Sequence, residues 1–349
     1  LRIDQLTFTR FLAAIAIVIF HYGATVFPFS HSAVNFLVSQ ANCGVSYFFV
    51  LSGFIMIVAY GGQEHIDSKE YLKNRFARVY PLVALSALPY FFIALKSVRV
   101  HFTDVLLNLT TLQSWVPGKA TAGNYPLWSI TVEVFFYLCF PLFFNTLYKR
   151  FSLASLTIMS LILLAASVGL QHYLLSSGMV DIATDAGHDL VYYFPPMHLG
   201  QFVVGNIAGL FFLKNKTAKH NYDLPVLLCV ILLVAALKLQ LMDYHNGGLA
   251  LFFAVFIYFL AGNTGFITKV LNQKPLIFLG EISFAVYVLQ APVFAIVKLL
   301  CQKLLPASGD TALFWVSIVA LVIASAIAHI FIEKPLRNKI KAWRLKLVK

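Results

Sequence analysis

Three groups of ionisable side chains stand inside otherwise apolar stretches of this chain. A charge in such a place costs several kcal/mol unless it lines a cavity or meets a partner. Arg10 and His21 are eleven residues apart. At about 100° per helical residue they return to nearly one face, roughly 16 Å apart along the axis. Glu133, in Leu127-Trp128-Ser129-Ile130-Thr131-Val132-Glu133, sits about as far inside the end of its own apolar run as His21 does in its run. A carboxylate in that layer can orient an imidazole and stabilise its cation while the ring takes a hydroxyl proton. Their spacing leaves open whether the two touch. Arg75 and Arg78, in Lys73-Asn74-Arg75-Phe76-Ala77-Arg78, share a helix face at i and i+3, a fork suited to a phosphate. Upstream, Ser52-Gly53 places small residues within a bulky stretch, which permits close helix approach or backbone contact with a ligand.

Each group also has a purely structural use. A lone intramembrane His serves in packing, a Glu can pair with a buried Arg, basic residues at a helix end anchor topology, and Ser-Gly eases helix contact. Composition and spacing therefore support a membrane protein with a polar interior and specify no reaction.

The elements that position these groups follow from composition. Hydrophobic residues make up 60% of 349 and charged residues 11%, against about a quarter charged in soluble domains. The mean hydropathy is +0.81, so lipid is the expected solvent. The 33 Phe and 16 Tyr suit helices that face acyl chains and place aromatics at the interfaces. The net charge of +12 lies in short clusters between apolar runs, which reads as topology signal and not as a nucleic-acid surface. Cys43, Cys139, Cys229 and Cys301 are widely spaced, a pattern that predicts neither disulfides nor a metal site.

Apolar runs long enough to cross a bilayer fall near 8–27, 43–61, 79–96, 126–147, 152–175, 191–213, 223–242, 248–266, 276–302 and 311–332. The predicted fold is an all-α polytopic membrane bundle of about ten helices, one domain over 1–349 with no separate soluble domain. The first run extends past the length of a signal-peptide core and is expected to remain as a helix. The stretch 103–116 is too short and polar to span and is expected at the interface. Alternating the runs places 20 of the 26 Lys and Arg on the side of the termini and 6 on the other, so both termini are expected in the cytoplasm. The opposite loop 176–190 carries Asp181, Asp185 and Asp189 and no basic residue.

Taken in order, these segments resemble the integral-membrane acyltransferase-3 family, whose members O-acetylate polysaccharides and other extracytoplasmic acceptors. The similarity rests on Asp4, Arg10 and His21; on Phe-Phe-x-Leu-Ser-Gly-Phe at 48–54; on Arg75-x-x-Arg78; and on Trp128-Ser129-x-x-x-Glu133. It continues in Gly280-Glu281-Ile282-Ser283-Phe284-Ala285-Val286-Tyr287 and in Ile332-Glu333-Lys334-Pro335.

The resemblance implies that Arg75 and Arg78 hold the phosphates of an acyl-CoA, that Arg10 lines the donor path, and that His21 is the central catalytic residue; the residues themselves suggest Glu133 as the group that orients it as general base. Trp128, Ser129, Ser52, His198 and Tyr287 are the expected substrate contacts. It further implies acetyl-CoA as donor, an envelope carbohydrate such as an O-antigen or exopolysaccharide unit as acceptor, no metal, and residence in the bacterial plasma membrane. Direct transfer and an acyl-enzyme on His21 both fit these residues. Two positions depart from the family pattern: Gln290 stands where many relatives have His, and His198 with Gln201 where they have Arg and Glu. A transporter remains the rival reading of a buried Arg, His and Glu, and a non-catalytic envelope scaffold is a second.

Overall fold

The computed structural model describes residues 3–96, 100–215, 220–240, 244–304 and 309–343. Arg2, Arg99, Lys216, Lys219, Arg344, Lys346 and Lys349, which entered the count of basic residues, lie outside them. Among the described residues all ten apolar runs are helical: α1 (Gln5–Tyr22), α2 (Cys43–Tyr60), α3 (Ser68–Lys96), α4 (Trp128–Leu142), α5 (Leu153–Ser176), α6 (Leu199–Lys214), α7 (Asp223–Leu239), α8 (Ala250–Gly262), α9 (Lys274–Leu304) and α10 (Asp310–Ala328). A further basic helix, α11 (Lys334–Ala342), ends the described chain.

Eight of these helices, some with their helical extensions, are long and apolar enough to cross a membrane. The other two, α7 with 17 residues and α8 with 13, fall short of that length. They flank Asn246-Gly247-Gly248, where Gly247 has φ +107° and a Cβ would lie 2.9 Å from the Gln201 side chain. The backbone there takes a shape that only glycine adopts readily, and α8 starts late in its apolar run. The stretch from 103 contains a nine-residue helix, Phe102–Thr110.

The outward faces of α5, α7 and α10 carry exposed large apolar residues, among them Ile162, Leu232 and Val319. Their opposite faces, and the helices they enclose, bury Asn206, Ser283, Gln290 and Glu333. This apolar-out arrangement fits a hydrocarbon solvent, where polar groups persist by facing the bundle interior.

Glycine lets helices approach closely, most tightly at two crossings. On α2 and α6 the contact is reciprocal: a Cβ on Gly53 would lie 2.1 Å from Phe202 O, and one on Gly205 would lie 2.0 Å from Val50 O. Between α1 and α9, a Cβ on Gly280 would lie 2.1 Å from Thr7 O. Small residues at such crossings bring backbones together where no hydrophobic effect drives association in lipid. Asn206 adds a bond from its Nδ2 to Gly53 O at 2.9 Å and accepts from Tyr148 OH at 2.5 Å.

Prolines mark the points where the polar interior is built. Pro292, inside α9, has no amide hydrogen for Val288 O one turn earlier. Asn124 Nδ2 supplies the missing donor at 2.9 Å. Pro335 follows a π-helical turn at His329–Glu333, and this widened turn rotates both His329 and Glu333 into the interior, where they are buried.

Gly205→Val should lose about 3 kcal/mol or more of stability by overpacking the α2–α6 contact. It should be seen as a collapsed monodisperse peak on size exclusion and a lower Tm in detergent. Gly169→Ala, where a Cβ meets nothing within 4 Å, should leave both readouts unchanged or slightly improved.

Candidate active site

A cavity of about 580 Å³ opens among α1, α2, α3, α4, α9 and α11, at the end of the bundle that carries both described termini. Its wall is polar in layers. At the mouth stand Arg75 and Arg78 from α3 and Lys334, Arg337 and Lys341 from α11. Deeper lie Arg10 from α1 with Glu133 and Tyr137 from α4, and beyond them Ser52, Ser129 and Tyr287.

The two mouth arginines are held differently. Arg75 sits among three tyrosine rings, 5.7 Å from the Tyr60 centroid, 5.6 Å from Tyr71 and 6.0 Å from Tyr137. Its Nη2 donates to Tyr60 OH at 3.3 Å, and its buried Nε has no partner. An aromatic cage of this kind stabilises a guanidinium without neutralising it. Arg78 pairs with Glu333 at 3.2 Å. Glu333 also meets Arg337 at 3.5 Å and His329 Nδ1 at 2.7 Å. Sequence reading took Glu333 only as part of a late motif; the wide π turn that aims it inward leaves no mark in residue periodicity.

In the next layer Glu133 accepts a hydrogen bond from Tyr137 OH, one helical turn further along α4. Arg10 lies within electrostatic reach of Glu133, Arg78, Tyr137 and Glu333. Outward by one turn of α4, Ser129 Oγ and Tyr287 OH are 2.7 Å apart, and Ser129 also bonds Pro126 O at 3.1 Å. Both residues line the cavity.

His21 stands beyond that pair. Its Nδ1 is 2.7 Å from Gln290 Oε1, and the Tyr125 ring meets it edge-on with centroids 4.8 Å apart. Gln290 Nε2 donates to Tyr287 O at 2.7 Å, which fixes the amide's orientation. The oxygen facing the ring can only accept, so Nδ1 carries the proton and Nε2 keeps its lone pair. The expected pairing of His21 with Glu133 is thereby corrected. Both lie on the interior face, but Ser129 and Tyr287 occupy the layer between them, and Gln290 takes the orienting role. The signal was present at Gln290, one turn from Tyr287 on the same helix, but a neutral amide does not stand out as a partner for an imidazole.

Two expected substrate contacts lie elsewhere. His198 has no exposed surface; its Nε2–H donates to Tyr192 O at 3.0 Å and its Nδ1 accepts from Gln201 Nε2 at 3.0 Å. Both ring nitrogens are spent on packing, so it is not a free contact. Trp128 is 6% exposed and packs against Tyr193 at 4.6 Å, His245 at 5.4 Å and His198 at 5.5 Å between centroids. Ser52, Ser129 and Tyr287 are the three of this set that reach the cavity.

The chain is 25% identical over 361 residues to the O-acetyltransferase OatA of Staphylococcus aureus, covering 95% of this chain and 56% of that protein. It is 29% identical over 159 residues to the acyltransferase MdmB of Streptomyces mycarofaciens, covering 42% of this chain and 41% of MdmB. It is also 27% identical over 352 residues to ORF330 of Acidianus two-tailed virus, covering 99% and 92%. The chain thus spans little more than half the length of OatA. No solved structure matches it. The sequence profile of the acyltransferase domain matches residues 3–331, from just before α1 into the π turn that starts at His329, and so takes in all ten apolar helices and the cavity residues they carry: this multi-pass membrane protein belongs to the acyltransferase-3 family.

Proposed function

We propose that the protein transfers an acyl group, acetyl in the first instance, from cytoplasmic acyl-CoA to a hydroxyl of a cell-envelope sugar. In this reading both termini are cytoplasmic and the bundle sits in a bacterial plasma membrane. The observation that carries the proposal is the order of the layers. A basic mouth leads past Arg10 and Glu133 to the Ser129–Tyr287 pair, one turn of α9 from the Gln290 that holds His21. A phosphate-bearing donor would anchor at the mouth and extend its thioester inward, while the acceptor hydroxyl would reach His21 from the opposite side.

The chemistry then follows from the ring. With Nδ1–H committed to Gln290, Nε2 takes the acceptor's hydroxyl proton as its oxygen attacks the thioester carbonyl. The C–S bond breaks, and the imidazolium returns the proton to the departing thiolate. Binding the donor through remote phosphates serves to position the carbonyl and lower the entropic part of the barrier. In the acyl-enzyme variant, Nε2 itself attacks first, and the hydroxyl then displaces the imidazole.

The transporter reading explains a buried Arg, His and Glu but not five basic side chains converging on one cavity mouth. The two separate on whether the purified protein consumes acetyl-CoA.

His21→Ala and Arg75→Ala should each abolish the acyl signal on envelope polysaccharide, read by mass spectrometry in cells with matched membrane levels of each variant. Retention of the signal in His21→Ala would overturn the catalytic assignment. Gln290→Leu, which removes the orienting bond and keeps the bulk, should lower kcat about tenfold, the effect of one lost hydrogen bond of ~1.4 kcal/mol. The donor KM should hardly move, because the mouth is untouched.

A further inference from the structure

Five cations at one cavity mouth exceed what a single phosphate fork requires, and they come from two helices with different surroundings. On α11, Lys334, Arg337 and Lys341 lie at i, i+3 and i+7, which places them on one face over roughly 10 Å of axis. That face lines the cavity opposite Arg75 and Arg78. Lys341 lies within electrostatic reach of Arg75, Arg78 and Arg337. Lys334 and Lys341 are exposed, and among the described residues neither forms an ion pair. Glu281 also lines the cavity and lies 4.0 Å from His329 Nε2. Like charges gathered this way repel one another unless an anion joins them.

The helix is also fixed in place. The π turn leads into it directly from α10, Arg337 pairs with buried Glu333, and Lys73 Nζ bonds Trp343 O at 3.3 Å, tying the far end of α11 to α3. A mobile basic tail would not be tethered at both ends.

Resting on the acyl-CoA reading, we propose that Lys334 and Lys341, on the α11 face shared with Arg337, bind the 3′-phosphate of coenzyme A, while Arg75 and Arg78 bind its pyrophosphate. The chemistry of the donor calls for two subsites. Its pyrophosphate continues directly into the acyl-bearing arm, so it belongs beside the caged Arg75, which is less exposed than the two lysines. The 3′-phosphate branches from the ribose at the other side of the nucleotide and needs cations of its own, nearer the opening. Phospholipid headgroups carry phosphate too, but this face lines the cavity, where a nucleotide would sit.

The test uses the full chain in nanodiscs of phosphatidylcholine, and in a second set containing phosphatidylglycerol. Acetyl-CoA and acetyl-3′-dephospho-CoA are compared as donors by KM and by equilibrium binding. The wild type should prefer the 3′-phosphorylated donor about tenfold or more, the effect of losing one or two charge-assisted hydrogen bonds. Lys334→Gln with Lys341→Gln should erase that preference in both kinds of disc by weakening acetyl-CoA alone, with the KM for the dephospho donor unmoved. Arg75→Gln should weaken both donors together. Both lysines are exposed, so the double variant should elute and melt like the wild type.

Equal binding of the two donors by the wild type, or equal weakening of both by the lysine variant, overturns the subsite and leaves the acyl-CoA reading standing. A lysine effect confined to discs with phosphatidylglycerol assigns the phosphate to lipid and also overturns it. Failure of the wild type to bind either donor overturns the donor reading itself, and the subsite with it.

Discussion

Glu333 has no exposed side chain, and a carboxylate in that position is tolerated only because three groups converge on it. Withdrawing such an ion from water costs several kcal/mol even after relaxation, and this is recovered only where geometry and hydrogen bonding are good. Here the partners are His329 at 2.7 Å, Arg78 at 3.2 Å and Arg337 at 3.5 Å. Much of the terminal end depends on this hub. It joins the start of α3 to the end of α10 and the beginning of α11, helices that apolar packing alone would leave free to slide in lipid. It also sets where the two arginine side chains point, and so where the cavity mouth is positive.

The rigidity of the cavity has a second source in close backbone contacts beside it. Gly53 and Gly205 let α2 and α6 touch, and Gly280 lets α9 touch α1. Each pair includes a wall helix: α2 carries Ser52 next to Gly53, and α9 carries Tyr287 two turns beyond Gly280. Tight crossings at these glycines fix the walls. Deleting the glycines' small size would therefore move cavity residues that the substitution itself never touches.

How much of this was legible beforehand depended on what each signal encodes. Apolar run length marked the helices well because the requirement in hydrocarbon is uniform; α7 and α8, at 17 and 13 residues, are shorter than the runs that predicted them. The i, i+3 spacing of Arg75 and Arg78 survived into the structure as two cavity residues, since the relation is local to one helix. Relations between helices were harder. Depth placed His21 and Glu133 in similar layers, yet the ends of an apolar run fix depth only to about a turn, and the Ser129–Tyr287 pair, one residue from α4 and one from α9, stands between them. Arg337 and Lys341 read in sequence as topology charges and Lys334 as part of a late motif, because the face the three share matters only once α11 packs against α3. His198 misled for a related reason: a polar ring inside a membrane protein can be consumed by a backbone carbonyl and a neighbouring amide.

The neutral partner of His21 bears on how the proposed transfer is driven. A carboxylate beside the ring would orient it and also stabilise its cation throughout the cycle. Gln290 orients it through the same nitrogen and adds no counter-charge, so in a low-dielectric interior an imidazolium at this position stands poorly compensated. In the proposed reaction that charge forms only as the thiolate forms, and the two neutralise each other when the proton passes from ring to sulfur. The arrangement then favours a base whose charge is transient and coupled to departure of the leaving group, over one that rests protonated. It also places the remaining electrostatic work at a distance, on Arg10, within reach of Glu133 and facing the cavity that the donor would occupy. One histidine held by an amide suffices for such a scheme, and a second at position 290 is not required by it.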